Sequence, residues 1–194
     1  MAEAQPQRDG PDEFVWAVEA ALSGSDEGFR TLYRVMQPGL LRYLKALVGP
    51  DAEDVASETW LQVVRDLRSF KGDGDAFRRW TVTIGRHRAM DHLRRNQRRP
   101  SIAMPVEALT ELIGGDDTAA AAIETLTTDK ALALIASLPQ DQAEAVLLRV
   151  VVGLDATSAA QVLGKKSGAV RTAAYRGLKR LAERLNGRDP APDE

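Results

Sequence analysis

The chain has 194 residues, a net charge of −2 and no cysteine. These values exclude a disulfide framework and a thiolate metal site, and the length allows one or two domains. Hydrophobic residues make up 44% of the chain and aromatic residues only 5%, which favours small helical bundles over a large sheet. No stretch approaches the roughly 20 apolar residues of a membrane helix. We therefore expect an all-α, soluble, cytoplasmic protein with no membrane insertion.

The first part of the chain predicts a disordered segment followed by two helices. Residues 1–10 are polar, hold no apolar run typical of a signal peptide, and are expected to be disordered. A short helix is predicted from Asp12 to Leu22. Residues 29–47 then carry apolar side chains at near-ideal helical spacing. Pro38 interrupts this second helix, and we expect a kink or a break there.

The next segment, DAEDVASETWLQVVRDLRSF, holds five acidic residues and two arginines. A helix is expected to start at Asp51, which is spaced from Asp54 like an acidic variant of the capping box. The apolar residues do not fit one stripe. One face holds Val55, Thr59, Val63, Leu67 and Phe70, and a second holds Trp60 and Val64. The pattern is typical either of a helix that binds a partner protein or of one central in its own bundle.

A strongly basic stretch follows, from Phe77 to Arg99, with eight arginines and a single acid, Asp91. Apolar residues at i, i+3 and i+7 predict one helix with a short core stripe at its start, and Asp75 can cap it. Nucleic-acid phosphate is the partner that this density of positive charge favours. A solvated arginine-rich helix is the other interpretation. The first domain is expected to span residues 11–99.

Residues 100–129 differ in composition, with six acidic residues and no basic residue. Prolines, a glycine pair and an alanine run are typical of a linker. The sequence therefore predicts a flexible acidic linker over residues 100–128, with a short helix near Val106–Ile113. A plain solubilising tether is the simpler interpretation.

A second helical domain is predicted over residues 129–185, followed by a disordered tail at 186–194. Helices are expected at Lys130–Ser137, Gln140–Val152, Ala156–Leu163 and, after Ser167 as its cap, up to Leu185. The predicted core face of the second of these helices consists of Ala143, Val146, Leu147 and Val150.

The last two of these helices have the spacing of a helix-turn-helix. A small residue at 160, a glycine at 164 and a branched apolar residue at 170 allow two helices to cross at a steep angle. The final helix divides by face. Its predicted core face is Val170, Ala174, Leu178, Leu181 and Leu185, and its other face is Arg171, Thr172, Tyr175, Arg176 and Lys179. Lys165 to Arg184 holds seven basic residues and one acid. A helix-turn-helix places such a face in the DNA major groove, although an amphipathic helix with a basic solvent side would share the pattern.

Taken together, these segments resemble the extracytoplasmic-function (ECF) sigma factors of bacterial RNA polymerase, which carry region 2 and region 4 domains. The resemblance covers about residues 12–99 and 129–185. It rests on DAEDVASETW, FRRWTVTIGRHRAMDHLRR and the segment from LPQDQ to GLKRL. It implies a transcription initiation factor, without cofactor or enzymatic activity, that binds core polymerase, recognises promoter −10 and −35 elements and promotes DNA opening.

The resemblance also implies partners and site residues. The partners are the β′ clamp coiled coil and β flap of core RNA polymerase, promoter DNA and an anti-sigma factor. The implied polymerase-binding residues are Asp51, Glu53, Asp54, Val55, Glu58, Trp60 and Leu61. The implied −10 residues are Arg86, His87, Asp91, Arg94 and Arg95, with Asn96, Arg98 and Arg99 in a loop that captures a flipped base. The implied −35 residues are Lys165, Lys166, Ser167, Arg171, Thr172, Tyr175, Arg176 and Lys179.

Three departures from the family pattern limit what the resemblance implies. Ser57 replaces the usual glutamine, His87 replaces a common asparagine, and positions 157 and 158 lack the frequent acidic residues. The preferred −10 base therefore stays open. A helix-turn-helix regulator that acts without core polymerase is the alternative function. An enzyme or metal site is disfavoured, since His87 and Asp91 have no third ligand or nucleophile beside them in the sequence.

Overall fold

The structure, a computed structural model, describes residues 11–98 and 119–186. Within these ranges the chain forms helices and turns and no strand. The N-terminal helices are α1 (Pro11–Leu22), α2 (Asp26–Val48), α3 (Ala52–Asp66) and α4 (Gly74–Arg98), with short 3₁₀ turns at Gly49–Asp51 and Leu67–Ser69. The C-terminal helices are α5 (Ala119–Ala136), α6 (Gln140–Val146), a π-helical segment (Leu147–Val151), α7 (Ala156–Leu163) and α8 (Ser167–Leu185). The predicted all-α fold is confirmed.

The first four helices form one bundle with a common apolar core. Helix α1 packs against α2, while α3 packs against both α2 and α4. Phe77 is fully buried and meets Phe14 and Phe70 edge-on, with ring centroids 6.4 Å and 5.4 Å away. Such edge-to-face contacts stabilise the bundle beyond the effect of burying the apolar surface of the rings. They fix the start of α4, and hence the direction of the basic helix, relative to α1 and α3.

Helix α2 runs through Pro38 as one helix, so the predicted break is wrong. Proline cannot donate a hydrogen bond to the carbonyl of residue 34, but Pro38 and Arg34 are both solvent-exposed. Water can therefore satisfy that carbonyl, and the packing of both halves of α2 against α1, α3 and α4 holds the helix together. The neighbouring Gly39 allows close packing against the C-terminal part of the chain, because a Cβ there would lie 3.3 Å from the Val151 carbonyl oxygen.

The caps of α3 and α4 differ from those predicted. Asp51 forms no side-chain cap on α3; its carboxylate instead lies 2.8 Å from His92 Nε2 of α4. Helix α4 begins at Gly74, three residues before the predicted start. Asp73, rather than Asp75, accepts a hydrogen bond from the Ala76 N–H at 2.8 Å. The cap of α4 is thus the acid two residues before the predicted one, while the Asp51 side chain bonds to another helix instead of capping α3.

The C-terminal bundle starts earlier than predicted. Helix α5 begins at Ala119, inside the stretch expected to be linker, while the predicted helix at Val106–Ile113 lies outside the described residues. After α6, the chain widens into a π-helical turn instead of continuing as an α-helix. The wider turn shifts the facing of the following residues, and Val150, predicted in the core, is 58% exposed. Gly153 then turns the chain with φ of +80°.

The predicted helix-turn-helix is confirmed in α7 and α8. Gly164 adopts the left-handed conformation, with φ 64° and ψ 32°, and its N–H bonds to the Ala160 carbonyl. Ala160 and Val170 are both buried between the two helices. The predicted core face of α8 is wrong at two positions, because Leu178 is 45% and Leu185 is 72% exposed. Gly177 is buried instead, where a Cβ would lie 2.8 Å from Val146 Cγ2.

Candidate nucleic-acid and protein interfaces

Helix α8 presents its polar and basic side chains on one outer face. The residues predicted to face DNA are all exposed except Ser167, which is half-buried; they are Lys165, Lys166, Arg171, Thr172, Tyr175, Arg176 and Lys179. The Tyr175 side chain is 68% exposed, and Thr172 Oγ1 donates to the Gly168 carbonyl at 3.0 Å. Since α7 holds the start of α8 through the Gly164 turn, this face is presented as a rigid convex surface of the size that enters a major groove.

The arginines of α4 divide into those held against the rest of the bundle and those exposed near the end of the helix. The Arg78 guanidinium lies 3.8 Å from the Phe14 ring centroid, and its partial burial lowers its pKa. Arg88 donates from Nε and Nη2 to Gln62 Oε1 at 3.0 Å and 2.6 Å. These two side chains hold α4 against α1 and α3. The positive charge that faces solvent therefore lies further along the helix.

The second half of α4 carries the exposed part of the predicted −10 set. His87, Asp91, Arg94, Arg95 and Asn96 are all solvent-exposed. Asp91 pairs with Arg94 at 3.2 Å, and Arg95 approaches Glu58 of α3 at 3.7 Å. Such exposed ion pairs contribute little stability and are exchanged easily for a phosphate.

Asn96 and Arg98 lie within α4, so the loop expected around them is a helical turn. Asn96 Nδ2 lies 2.8 Å from His92 Nε2, which also faces Asp51. Arg99 lies outside the described residues. The end of the helix is therefore tied back to the start of α3 through His92, a contact that sequence reasoning missed.

Arg86 differs from the other predicted −10 residues, because it binds the second bundle. Its Nε and Nη2 donate to Glu144 Oε2 at 3.2 Å and 3.0 Å. The side chains of Arg86 and Glu144 are only 22% and 7% exposed. The two residues are 58 positions apart in sequence, so no local pattern could have predicted the pair.

Tyr43 of α2 lies beneath this ion pair and is completely buried. Burial raises the pKa of its hydroxyl, and the nearby Glu144 carboxylate raises it further. Among the described residues no group forms a hydrogen bond of good geometry with this hydroxyl, although Arg86 is close enough to oppose the rise in pKa. The hydroxyl therefore stays neutral at the junction of the two bundles.

The predicted polymerase-binding residues of α3 fall into two groups. Glu53, Asp54 and Leu61 are exposed, with Leu61 at 70%, and Glu58 is half-buried. Val55 and Trp60 point inward, with only 1% and 6% of their surface exposed. The outward face of α3 is thus acidic at its start and apolar at Leu61 and Val64, which is 53% exposed. We call these two exposed apolar side chains, which lie one turn apart beside the carboxylates, the apolar strip on α3.

Comparison with known proteins identifies the family. The Sigma-70 region 2 family matches residues 32–99, and the Sigma-70 region 4 family matches residues 128–181. The ECF RNA polymerase sigma factor SigD of Mycobacterium tuberculosis is 33% identical over 175 residues, covering 87% of this chain and 82% of SigD. The chain belongs to the ECF RNA polymerase sigma factors. Sigma factors are transcription initiation factors, and this one is an alternative sigma factor.

Two further comparisons place this sigma factor among its relatives. The ECF sigma factor BldN of Streptomyces coelicolor is 31% identical over 174 residues; the match covers 87% of this chain and 64% of BldN. The structure of RpoE from Bartonella quintana in complex with the anti-sigma factor NepR covers 82% of this chain and 98% of that chain. It aligns with a TM-score of 0.61 at 22% identity, which supports the fold.

The matched segments coincide with the two bundles of the sigma factor. The region 2 match contains most of α2 and all of α3, and it reaches the end of α4, while the region 4 match runs from α5 into α8. Within the described residues no helix is long and apolar enough to cross a membrane. In the same part of the chain, no group of three or more His, Asp or Glu side chains could hold a metal ion.

Proposed function

We propose that this sigma factor binds core RNA polymerase through the outward face of α3 and reads two promoter elements through α4 and α8. The proposal rests mainly on the separation of exposed basic residues and buried apolar residues onto opposite faces of α8. Its basic and polar side chains project outward as one set, while Val170, Ala174 and Gly177 fix the helix to its own bundle. A basic face of this kind on the second helix of a helix-turn-helix suits the major groove of a −35 element.

The −10 element would meet the exposed end of α4. His87 and Asp91 lie one turn apart on the same face, suited to unpaired bases, while Arg94 and Arg95 supply positive charge for phosphates. The contacts of Arg98 and Arg99 with the −10 element stay predictions from the family resemblance. Opening the duplex requires unstacking of bases, and contacts to the separated strand would offset that cost.

Core polymerase would dock on α3 through Glu53, Asp54, Glu58 and Leu61, with Asp51 at the edge of the same face. Val55 and Trp60 would support this face from beneath. The β′ clamp coiled coil is the proposed partner of α3, and the β flap that of the region 4 bundle. Because these proposed partners are cytoplasmic in bacteria, the protein is proposed to act in the cytoplasm. An anti-sigma factor that covers the same surfaces is proposed by analogy with the NepR complex of RpoE.

The proposal is tested by transcription in vitro with core polymerase over a pool of randomised promoters. The expected result is transcripts enriched for two fixed sequence elements at a constant spacing. If the chain binds DNA but neither retains core polymerase in a pull-down nor yields transcripts, the alternative of a conventional helix-turn-helix regulator would stand instead.

A further inference from the structure

A cleft of about 210 Å³ opens to solvent where α2 and α4 meet the π-helical segment. Met36, Leu40 and Val82 form its floor, and each of these side chains is at most 5% exposed. Val151 and Val152 also line the cleft, so both bundles contribute to it. Sites for drug-sized ligands measure roughly 300–1,000 Å³. This cleft is therefore apolar inside and of a size that suits a smaller molecule.

Two arginines line the same cleft, Arg42 from α2 and Arg78 from α4. Arg42 is exposed, while Arg78 is half-buried with its guanidinium over the Phe14 ring. Among the described residues that line the cleft there is no acid, and within the same part of the chain neither arginine forms an ion pair. Burial lowers the pKa of Arg78, and the nearby Asp75 opposes this shift only in part.

The surroundings of Arg78 differ from those of the other arginines that α4 holds against the protein. Burial of a guanidinium is unfavourable unless anions or hydrogen-bond acceptors compensate for the lost water. Arg86 has the Glu144 carboxylate and Arg88 has the Gln62 amide oxygen as acceptors. Arg78 has an aromatic ring, which attracts a cation more weakly than a carboxylate does in such a place. The cleft thus holds positive charge that the protein itself does not neutralise.

We propose that this cleft binds a small amphipathic anion, whose phosphate or carboxylate group pairs with Arg42 and Arg78 and whose apolar part lies on the buried floor. Guanidinium groups suit both head groups, because each presents parallel N–H donors to two oxygens. The cleft is separate from the residues proposed to contact polymerase and DNA, so the inference goes beyond the proposed function. A ligand here would contact both bundles, and it would stabilise the folded chain by mass action.

Binding of two anionic probes to the full chain tests the site. The probes are phenyl phosphate and phenylacetate, with 2-phenylethanol as a neutral molecule of similar size. Isothermal titration calorimetry measures affinity, and thermal unfolding gives a second readout. At least one anion is expected to bind and to raise the unfolding temperature, and the tighter of the two identifies the head group. The neutral probe is expected to bind roughly tenfold more weakly or not at all, because it lacks the charged hydrogen bonds.

Variants at the mouth of the cleft test the role of the arginines without disturbing the core. Arg42→Gln removes one charge at an exposed position, and the tighter anion should bind it roughly tenfold more weakly. Val35→Asp places a carboxylate at the partly exposed rim, where it should pair with the arginines and weaken binding as well. Arg30→Gln is the matched control, since it makes an equal charge change in α2 outside this cleft. Its affinity should equal that of the wild type.

The outcomes separate the site from a general attraction of anions to a basic surface. Equal affinities of the Arg42→Gln and Arg30→Gln proteins would overturn the assignment of the cleft. Inorganic phosphate that binds as tightly as phenyl phosphate would overturn the role of the apolar floor. A chain that supports transcription with core polymerase but binds neither anion would overturn this inference and leave the proposed function intact.

Discussion

Trp60 donates its indole N–H to Gln37 Oε1 at 2.6 Å, and this bond holds the ring inside the bundle. The Trp60 ring packs edge-on against Phe29 and tilted against Tyr33, with centroids 5.9 Å and 5.0 Å away. Its neighbour Leu61, one residue further along α3, points into solvent. Adjacent residues of one helix therefore have different surroundings: Trp60 packs in the core, and Leu61 lies exposed on the face that is proposed to bind core polymerase.

Leu61→Ala is expected to weaken binding to core polymerase without affecting folding. Burial of the leucine side chain by the partner contributes roughly 1–2 kcal/mol, so affinity should fall about tenfold. Titration of labelled core polymerase measures the affinity, and thermal unfolding measures stability. Trp60→Ala is the contrasting variant, because loss of a buried ring costs about 3–5 kcal/mol of folding stability. Unchanged polymerase affinity in the folded Leu61→Ala protein would mean that the apolar strip on α3 has another partner.

Arg171→Ala is expected to reduce preference for the −35 sequence by about 1–3 kcal/mol if its guanidinium contacts a base edge. Its exposed position on the outer face of α8 predicts this loss without a change in fold. Competition binding of the holoenzyme to matched and mismatched −35 sequences gives the measurement. Arg30→Ala, an equal charge change on α2, provides the control. A uniform loss on all sequences would assign Arg171 to a phosphate instead.

Gly177→Ala should destabilise the region 4 bundle. The added Cβ would lie 2.8 Å from Val146 Cγ2 and 3.3 Å from Leu138 Cδ1, and overpacking of this kind costs about 1–3 kcal/mol. Gly168→Ala in the same helix meets no atom within 4 Å, so the better helix propensity of alanine should stabilise it by roughly 0.5–1 kcal/mol. Urea unfolding of the two variants should shift in opposite directions, and a shared direction would contradict this packing.

Asp155 should make the stability of α7 depend on acid pH. Its carboxylate accepts the Ser158 N–H at 2.6 Å, and this backbone hydrogen bond lowers the pKa of Asp155. Because the folded pKa is depressed, the contribution is complete above the ordinary pKa of aspartate and is lost as pH falls through the folded value. Asp155→Ala should cost about 0.5–2 kcal/mol at neutral pH.

Asp155→Asn serves as the control for that prediction, since asparagine caps a helix about as well as aspartate. This variant should retain the neutral-pH stability but lose the acid-dependent part. Urea unfolding at neutral pH and near pH 3 distinguishes the three proteins. An acid response that is identical in the wild type and in Asp155→Asn would show that other groups cause it.

The parts of this structure that could be predicted from the sequence are those that depend on neighbouring residues. Ala160, Gly164 and Val170 specify the helix-turn-helix because its turn and wedge are local. The sequence also predicted that α3 has apolar residues on two faces. Periodicity alone, however, could not show that Trp60 faces inward and Leu61 outward. The choice depends on Gln37, Phe29 and Tyr33 of another helix.

The contact between the bundles could not be predicted, because it joins distant parts of the chain. Arg86 was correctly singled out as part of a basic helix, yet its partner Glu144 looks like an ordinary acid in an amphipathic segment. Only the packing of α6 buries that carboxylate. Which residues contact polymerase and DNA stays a prediction.

The π-helical turn at Leu147–Val151 has the geometry of an α-helix into which one residue has been inserted. Deletion of a single residue there would let α6 continue with regular helical periodicity and would return the position now held by Val150 to the apolar side. The same deletion would rotate the Val151 carbonyl away from Gly39, while leaving Glu144 upstream in its place. A one-residue change in chain length, with no change of charge, would thus alter how the two bundles meet.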